Sequence, residues 1–107
     1  MKKRVVVTGG SFITPIGNTW EAVEARLRAR KNGVVYMTEW EKYAKMNTKL
    51  GAPAVFENPG FNRKQMRGMG RVALLACATV EEALVLAGLK DSPELGNGRA
   101  GVAWGSS

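Results

Sequence analysis

Histidine is absent from the 107-residue chain, and cysteine occurs once, at Cys77. The first absence removes Ser-His-Asp and Cys-His catalysis, and the commonest zinc ligand, from anything the chain does alone. The second excludes an internal disulfide and a cysteine-cluster metal site. Long apolar runs are missing too: nothing approaches the ~20 residues needed to span a bilayer. Lys2, Lys3 and Arg4 precede Val5–Val7 as in a signal peptide, but that stretch stops at Thr8-Gly9-Gly10, short of the ~7–15 residues of an h-region. Acids are scarce, 9 against 16 Lys+Arg, and the net charge of +7 calls for an acidic partner: nucleic acid, a membrane surface or an acidic protein. With 45% hydrophobic and 23% charged residues, the composition is that of a globular domain, not of a disordered tail, a collagen-like repeat or a coiled-coil rod. The length allows one small domain at most, and a cytoplasmic protein is expected.

Hydrophobic periodicity and turn residues predict the elements. Arg4-Val5-Val6-Val7-Thr8, closed by Gly9-Gly10, reads as a buried strand of an α/β sheet. After a loop holding Pro15 and Gly17, Asn18 is the expected N-cap of a helix over 19–31. Glu21 suggests a capping box, Trp20, Val23 and Leu27 follow at helical spacing, and Asn32-Gly33 is the stop. Val34–Met37 is too short to classify. Glu39–Met46 fits one or two helical turns, and Lys49–Val55 is a weak strand candidate with Pro53 against it. Asn58-Pro59-Gly60 marks a turn. From Arg63 to Ala87 the apolar positions step by three and four, which predicts one long, mostly buried helix stopped by Gly88. Its alanines would let a neighbouring backbone approach closely. Arg99–Gly105 reads as a second buried strand. A core strand at the last residues leads to the expectation that the chain is the front piece of a longer protein.

Four features are candidates for function. Val5–Ser11 invites comparison with a dinucleotide-binding turn, but Phe12, Ile13 and Pro15 stand where glycines are needed, and no Gly-Lys-Ser/Thr follows. Glycines that let the strand turn are the better reading. Cys77 sits mid-helix between alanines, with no base or cation beside it in sequence, and reads as a small buried hydrophobe. The aromatic set Trp20, Tyr36, Trp40, Tyr43 and Trp104 could stack bases, though core packing is the reading for Trp20 and Trp104. The basic start of the long helix is the fourth. Arg63, Lys64, Arg67 and Arg71 step by three and four, and no acid lies between Glu57 and Glu81. Cations near a helix N-terminus oppose the macrodipole, so their placement hints at a partner beside the alternative of a solvated charged face.

In order along the chain, these segments resemble the N-terminal part of the β-ketoacyl-acyl carrier protein synthases, the elongating condensing enzymes of fatty acid and polyketide synthesis. Arg4-Val5-Val6-Val7-Thr8-Gly9 with Thr14-Pro15-Ile16-Gly17-Asn18 is similar to the family's opening strand and the turn before its first helix. Arg63-Lys64, Arg67, Met69 and Arg71 are similar to the start of its long helix. Ala83-Leu84 with Ala87-Gly88-Leu89 matches the helix end, and Arg99–Ser107 matches the strand and small-residue loop that follow. The family often has a further glycine where Ser11 or Phe12 stands, and 34–62 varies among subfamilies.

The resemblance implies an α/β fold, the N-terminal part of a thiolase-like fold, with residues 1–107 as a portion of the synthase N-terminal domain. It implies decarboxylative condensation of an acyl thioester with malonyl-carrier protein, through a cysteine nucleophile and two histidines. None of these catalytic residues can be carried over, and Cys77 does not match the nucleophile motif. No cofactor or metal is expected. The carrier-protein-binding positions carried over are Lys64 and Arg67, with Arg63 and Arg71 as lesser candidates. Ser106 and Ser107 match the beginning of a loop near the acyl pocket. The implied partners are an acyl carrier protein and a second subunit, in a homodimer or a heterodimer with a related chain, with no nucleic acid and no membrane. A chain-length-factor-like subunit without the nucleophile, a basic nucleic-acid-binding module and an NAD(P)-binding fold are the alternatives.

Overall fold

Helices and turns carry the structure, a computed structural model that describes residues 2–106. Helix α1 spans Trp20–Arg28. Its N-cap is Thr19, whose side chain accepts the Ala22 amide. Asn18, the expected cap, is instead drawn to the backbone of Val55. The helix ends earlier than Asn32-Gly33 would have it. Arg30 takes φ +54, the Lys31 amide donates to Arg26 O at 2.9 Å, and the Arg30 amide to Leu27 O at 3.0 Å. That is a Schellman ending with a non-glycine residue in the left-handed position.

Strands β1 (Val35–Tyr36) and β2 (Leu50–Gly51) pair antiparallel, Val35 opposite Gly51 and Tyr36 opposite Leu50. A 3₁₀ turn, Thr38–Trp40, lies between them. The Trp40 ring lies against Gly51, where a Cβ would come within 2.8 Å of it.

The predicted helix over 63–87 is two helices, α2 (Arg63–Met66) and α3 (Arg71–Leu86). Arg67 is extended at ψ 118, and Gly68 has φ +85. Glycine costs a helix interior about 1 kcal/mol relative to alanine, and Gly68 and Gly70 lie two apart, so the chain breaks there. The hydrophobic step from Met66 through Met69 to Val72 runs across the break and concealed it. At the other end Gly88 stops α3 as expected: φ is +69, and the Leu89 amide reaches Leu84 O at 2.8 Å.

The N-terminal segment crosses the small-residue stripe of α3. A Cβ on Gly9 would lie 2.7 Å from Ala83 O and 2.9 Å from the Ala87 amide, so only glycine allows this approach. Ser11 Oγ donates to the Glu82 carboxylate at 2.6 Å. Gly9 therefore serves close packing on a helix.

The two buried strands expected at 4–8 and 99–105 are not formed. Both segments lack strand pairing among the described residues, and their apolar side chains face solvent: Val5 is 97% exposed, Val102 91% and Trp104 60%. Trp20, also expected in the core, is 60% exposed. Among the described residues Val23 alone is a buried hydrophobe, and α3 is half-buried rather than buried. The reason is geometric. A strand needs backbone on its flanks and a layer on each face, and among the described residues no segment pairs with either backbone. The radius of gyration, 17.9 Å, accordingly exceeds the about 13 Å of a compact domain of this length.

Candidate docking surface

The basic cluster begins on α2, and local side-chain chemistry builds the approach to it. Asn58 Oδ1 accepts the amides of Gly60 (3.1 Å) and Phe61 (2.7 Å), while its Nδ2 donates to Phe61 O at 2.8 Å. Gly60 takes φ +111 in that turn. Asn62 then caps α2 reciprocally with Gln65: Asn62 Oδ1 accepts the Gln65 amide and Gln65 Oε1 accepts the Asn62 amide, both at 2.9 Å. A capping box of this kind holds a single helical turn that propensity alone would not.

Arg63, Lys64 and Arg67 are exposed. Among the described residues the ion pairs are Arg28–Glu24 at 2.7 Å and Arg99–Glu94 at 3.2 Å, and neither involves the cluster. Three cations thus stand within five residues, with no carboxylate partner among the described residues. Arg71 differs. It opens α3, and its guanidinium donates to Ala54 O at 2.9 Å. The four basic residues therefore do not share one helical face. The helix break separates Arg63 and Lys64 on α2 from Arg71 on α3, with Arg67 in the extended link.

Beside the cluster lies an open apolar groove of about 540 Å³, between Gln65 and Met69 on one side and Ala76, Val80, Val102 and Trp104 on the other. Cys77 lines it, half-buried and unpaired in any disulfide. The ionisable neighbour of Cys77 in the groove is Glu81, and no lysine or arginine lines it, so no cation there favours the thiolate. Among the described residues no group of His, Cys, Asp or Glu is arranged to hold a metal ion, and no helix is long and apolar enough to cross a membrane. Ser106 is exposed; Ser107 lies outside the described residues.

The model of the β-ketoacyl synthase N-terminal domain matches residues 2–107. The chain belongs to the β-ketoacyl synthase family. It is 32% identical over 104 residues to 3-oxoacyl-(acyl-carrier-protein) synthase 1 of Haemophilus influenzae, covering 97% of this chain and 25% of that protein. To the enzyme of the same name from Escherichia coli K12 it is 30% identical over 105 residues, with 97% and 26% covered. Its backbone superposes on a β-ketoacyl synthase from Burkholderia phymatum STM815 with a TM-score of 0.90 at 41% identity, over 99% of this chain and 26% of that one. The fold is therefore the matching part of the synthase's thiolase-like α/β architecture. The chain spans about a quarter of the length of these relatives.

Proposed function

We propose that the chain is the carrier-protein-docking part of a dimeric, cytoplasmic 3-oxoacyl-acyl carrier protein synthase. In that reaction an acyl chain is held as a thioester on an enzyme cysteine. Malonyl-carrier protein loses carbon dioxide, the resulting carbanion attacks the thioester carbonyl, and the cysteine thiolate leaves. Residues 1–107 supply neither the cysteine nor the histidines of that chemistry, since the chain has no histidine and Cys77 lies in an apolar groove. Their role is recognition, in a portion of the synthase N-terminal domain whose Ser106 opens an acyl-pocket loop.

The observation that carries this reading is the exposed cation cluster, Arg63 and Lys64 on a capped helical turn and Arg67 in the extended link after it, without carboxylate partners among the described residues. Complementary charge at an interface steers encounter and fixes register, and an acidic carrier is the partner that suits it. The test is the double charge reversal Lys64→Glu with Arg67→Glu in the condensing enzyme that contains this sequence. Each exposed contact contributes about 1 kcal/mol, by analogy with surface ion pairs. Carrier-dependent kcat/KM is expected to fall roughly ten- to thirtyfold, with steeper loss at low salt, while turnover of a small thioester lacking the carrier stays unchanged. Equal loss on both substrates refutes the docking role.

A further inference from the structure

Residues 52–61 make no backbone–backbone hydrogen bond among the described residues. Two consecutive carbonyls in this stretch are instead taken by side chains from two other elements. Ala54 O accepts Arg71 Nη2 from the first turn of α3, and Val55 O accepts Asn18 Nδ2 from the turn before α1, each at 2.9 Å. Asn18 is itself held in place. Its Oδ1 accepts the Thr14 amide at 3.2 Å, and Thr14 and Gly17 exchange both backbone hydrogen bonds at 3.2 Å.

The Arg71–Ala54 bond closes the base of an excursion running from 54 to 71, with α2 at its tip. Within it, Asn58 ties 58–61 into a turn and the Asn62–Gln65 box fixes the helical turn. What remains free to move the excursion as a unit is its base. There Gly68 and Gly70 provide backbone freedom on one side, and on the other, among the described residues, the two side-chain donors supply the hydrogen bonds. We infer that Arg71 and Asn18 are positioning residues for carrier recognition: they clamp the Ala54 and Val55 carbonyls and so hold α2, with Arg63, Lys64 and Arg67, in docking geometry, without touching the carrier. This rests on the docking reading above.

The experiment titrates purified acyl carrier protein with the condensing enzyme that contains this sequence and its variants Arg71→Met, Asn18→Ala and Lys64→Met. It reads affinity and its dependence on salt, together with amide exchange over 58–67 and over α3. A docking cation lost to the partner flattens the salt dependence. A lost clamp weakens binding without flattening it. Arg71→Met and Asn18→Ala are each expected to weaken binding about three- to tenfold, the weight of one net intramolecular hydrogen bond. Asn18→Ala should leave the salt slope as in the parent, Arg71→Met should flatten it less than Lys64→Met does, and both should speed exchange over 58–67. Lys64→Met should weaken binding and flatten the slope, with exchange unchanged. Asn18→Ala alters no charge and leaves α3 intact, so it decides the matter if Arg71→Met unfolds α3. A slope flattened in Arg71→Met as much as in Lys64→Met overturns the inference, because Arg71 then meets the carrier itself. So does unchanged exchange over 58–67 in Asn18→Ala. If the parent does not bind the carrier, or Lys64→Met binds as the parent does, the docking reading fails; the exchange readout then still reports whether the clamp exists.

Discussion

Urea unfolding of the chain on its own is expected to be shallow, and the structure sets by how much. The accessible surface is 9394 Å². A compact monomer of 11.6 kDa exposes about 5,800 Å², and its unfolded chain about 16,800 Å². Folding to the observed structure thus buries about 7,400 Å², where a compact domain of this size would bury about 11,000 Å². The denaturant m-value scales with the area exposed on unfolding, so the expected value is about two-thirds of that for a compact domain of equal length. The bare apolar side chains of 4–8 and 99–105 should also bind a hydrophobic dye and promote self-association. The assay is far-ultraviolet ellipticity against urea on a sample whose mass is checked by light scattering. A monomeric sample with a sharp transition and the m-value of a compact domain would show that these segments are covered in solution and refute the reasoning.

Two helix endings should respond with opposite sign. Arg30→Gly relieves a left-handed non-glycine residue and is expected to stabilise the end of α1 by about 0.5–1 kcal/mol, whereas Gly88→Ala at φ +69 should destabilise the end of α3 by about 1 kcal/mol. Amide exchange over each last turn reads both changes, and the same sign for the two would contradict the assignment. The Tyr36 phenol is held above its ordinary 10.0 by desolvation and by the Glu41 carboxylate, which accepts its hydroxyl proton at 3.2 Å. Its protonated form is favoured in the fold, so this contribution is intact below pH 10.0 and is lost as pH rises through the raised value. In a Tyr43→Phe background, Glu41→Gln should bring the ultraviolet titration of Tyr36 back toward 10.0, and no change would remove Glu41 as a cause.

The presence of helix α1, the end of α3 at Gly88 and the basic run 63–71 were legible in the residues because each rests on residues a few positions apart. Trp20, Val23 and Leu27 at helical spacing marked α1, and Gly88 marked the end of α3. Asn58-Pro59-Gly60 marked a turn whose hydrogen bonds to backbone groups fall within 58–61. The break between α2 and α3 was written in Gly68 and Gly70, but an apolar period running over them hid it. Left to the tertiary structure were burial, strand pairing and the roles of Asn18 and Arg71. Asn18 could cap the next helix or reach 37 positions along the chain, and it does the latter. Arg71 could extend the basic patch or close a loop on a residue 17 positions back, and its guanidinium lies on Ala54 O. Valines at 5, 6 and 7 are apolar and β-branched in any setting, but whether they form a strand depends on backbone brought alongside from elsewhere. Local spacing determines turns, caps and helical period, whereas a strand's hydrogen bonds and a side chain's long-range partner exist only once distant segments meet.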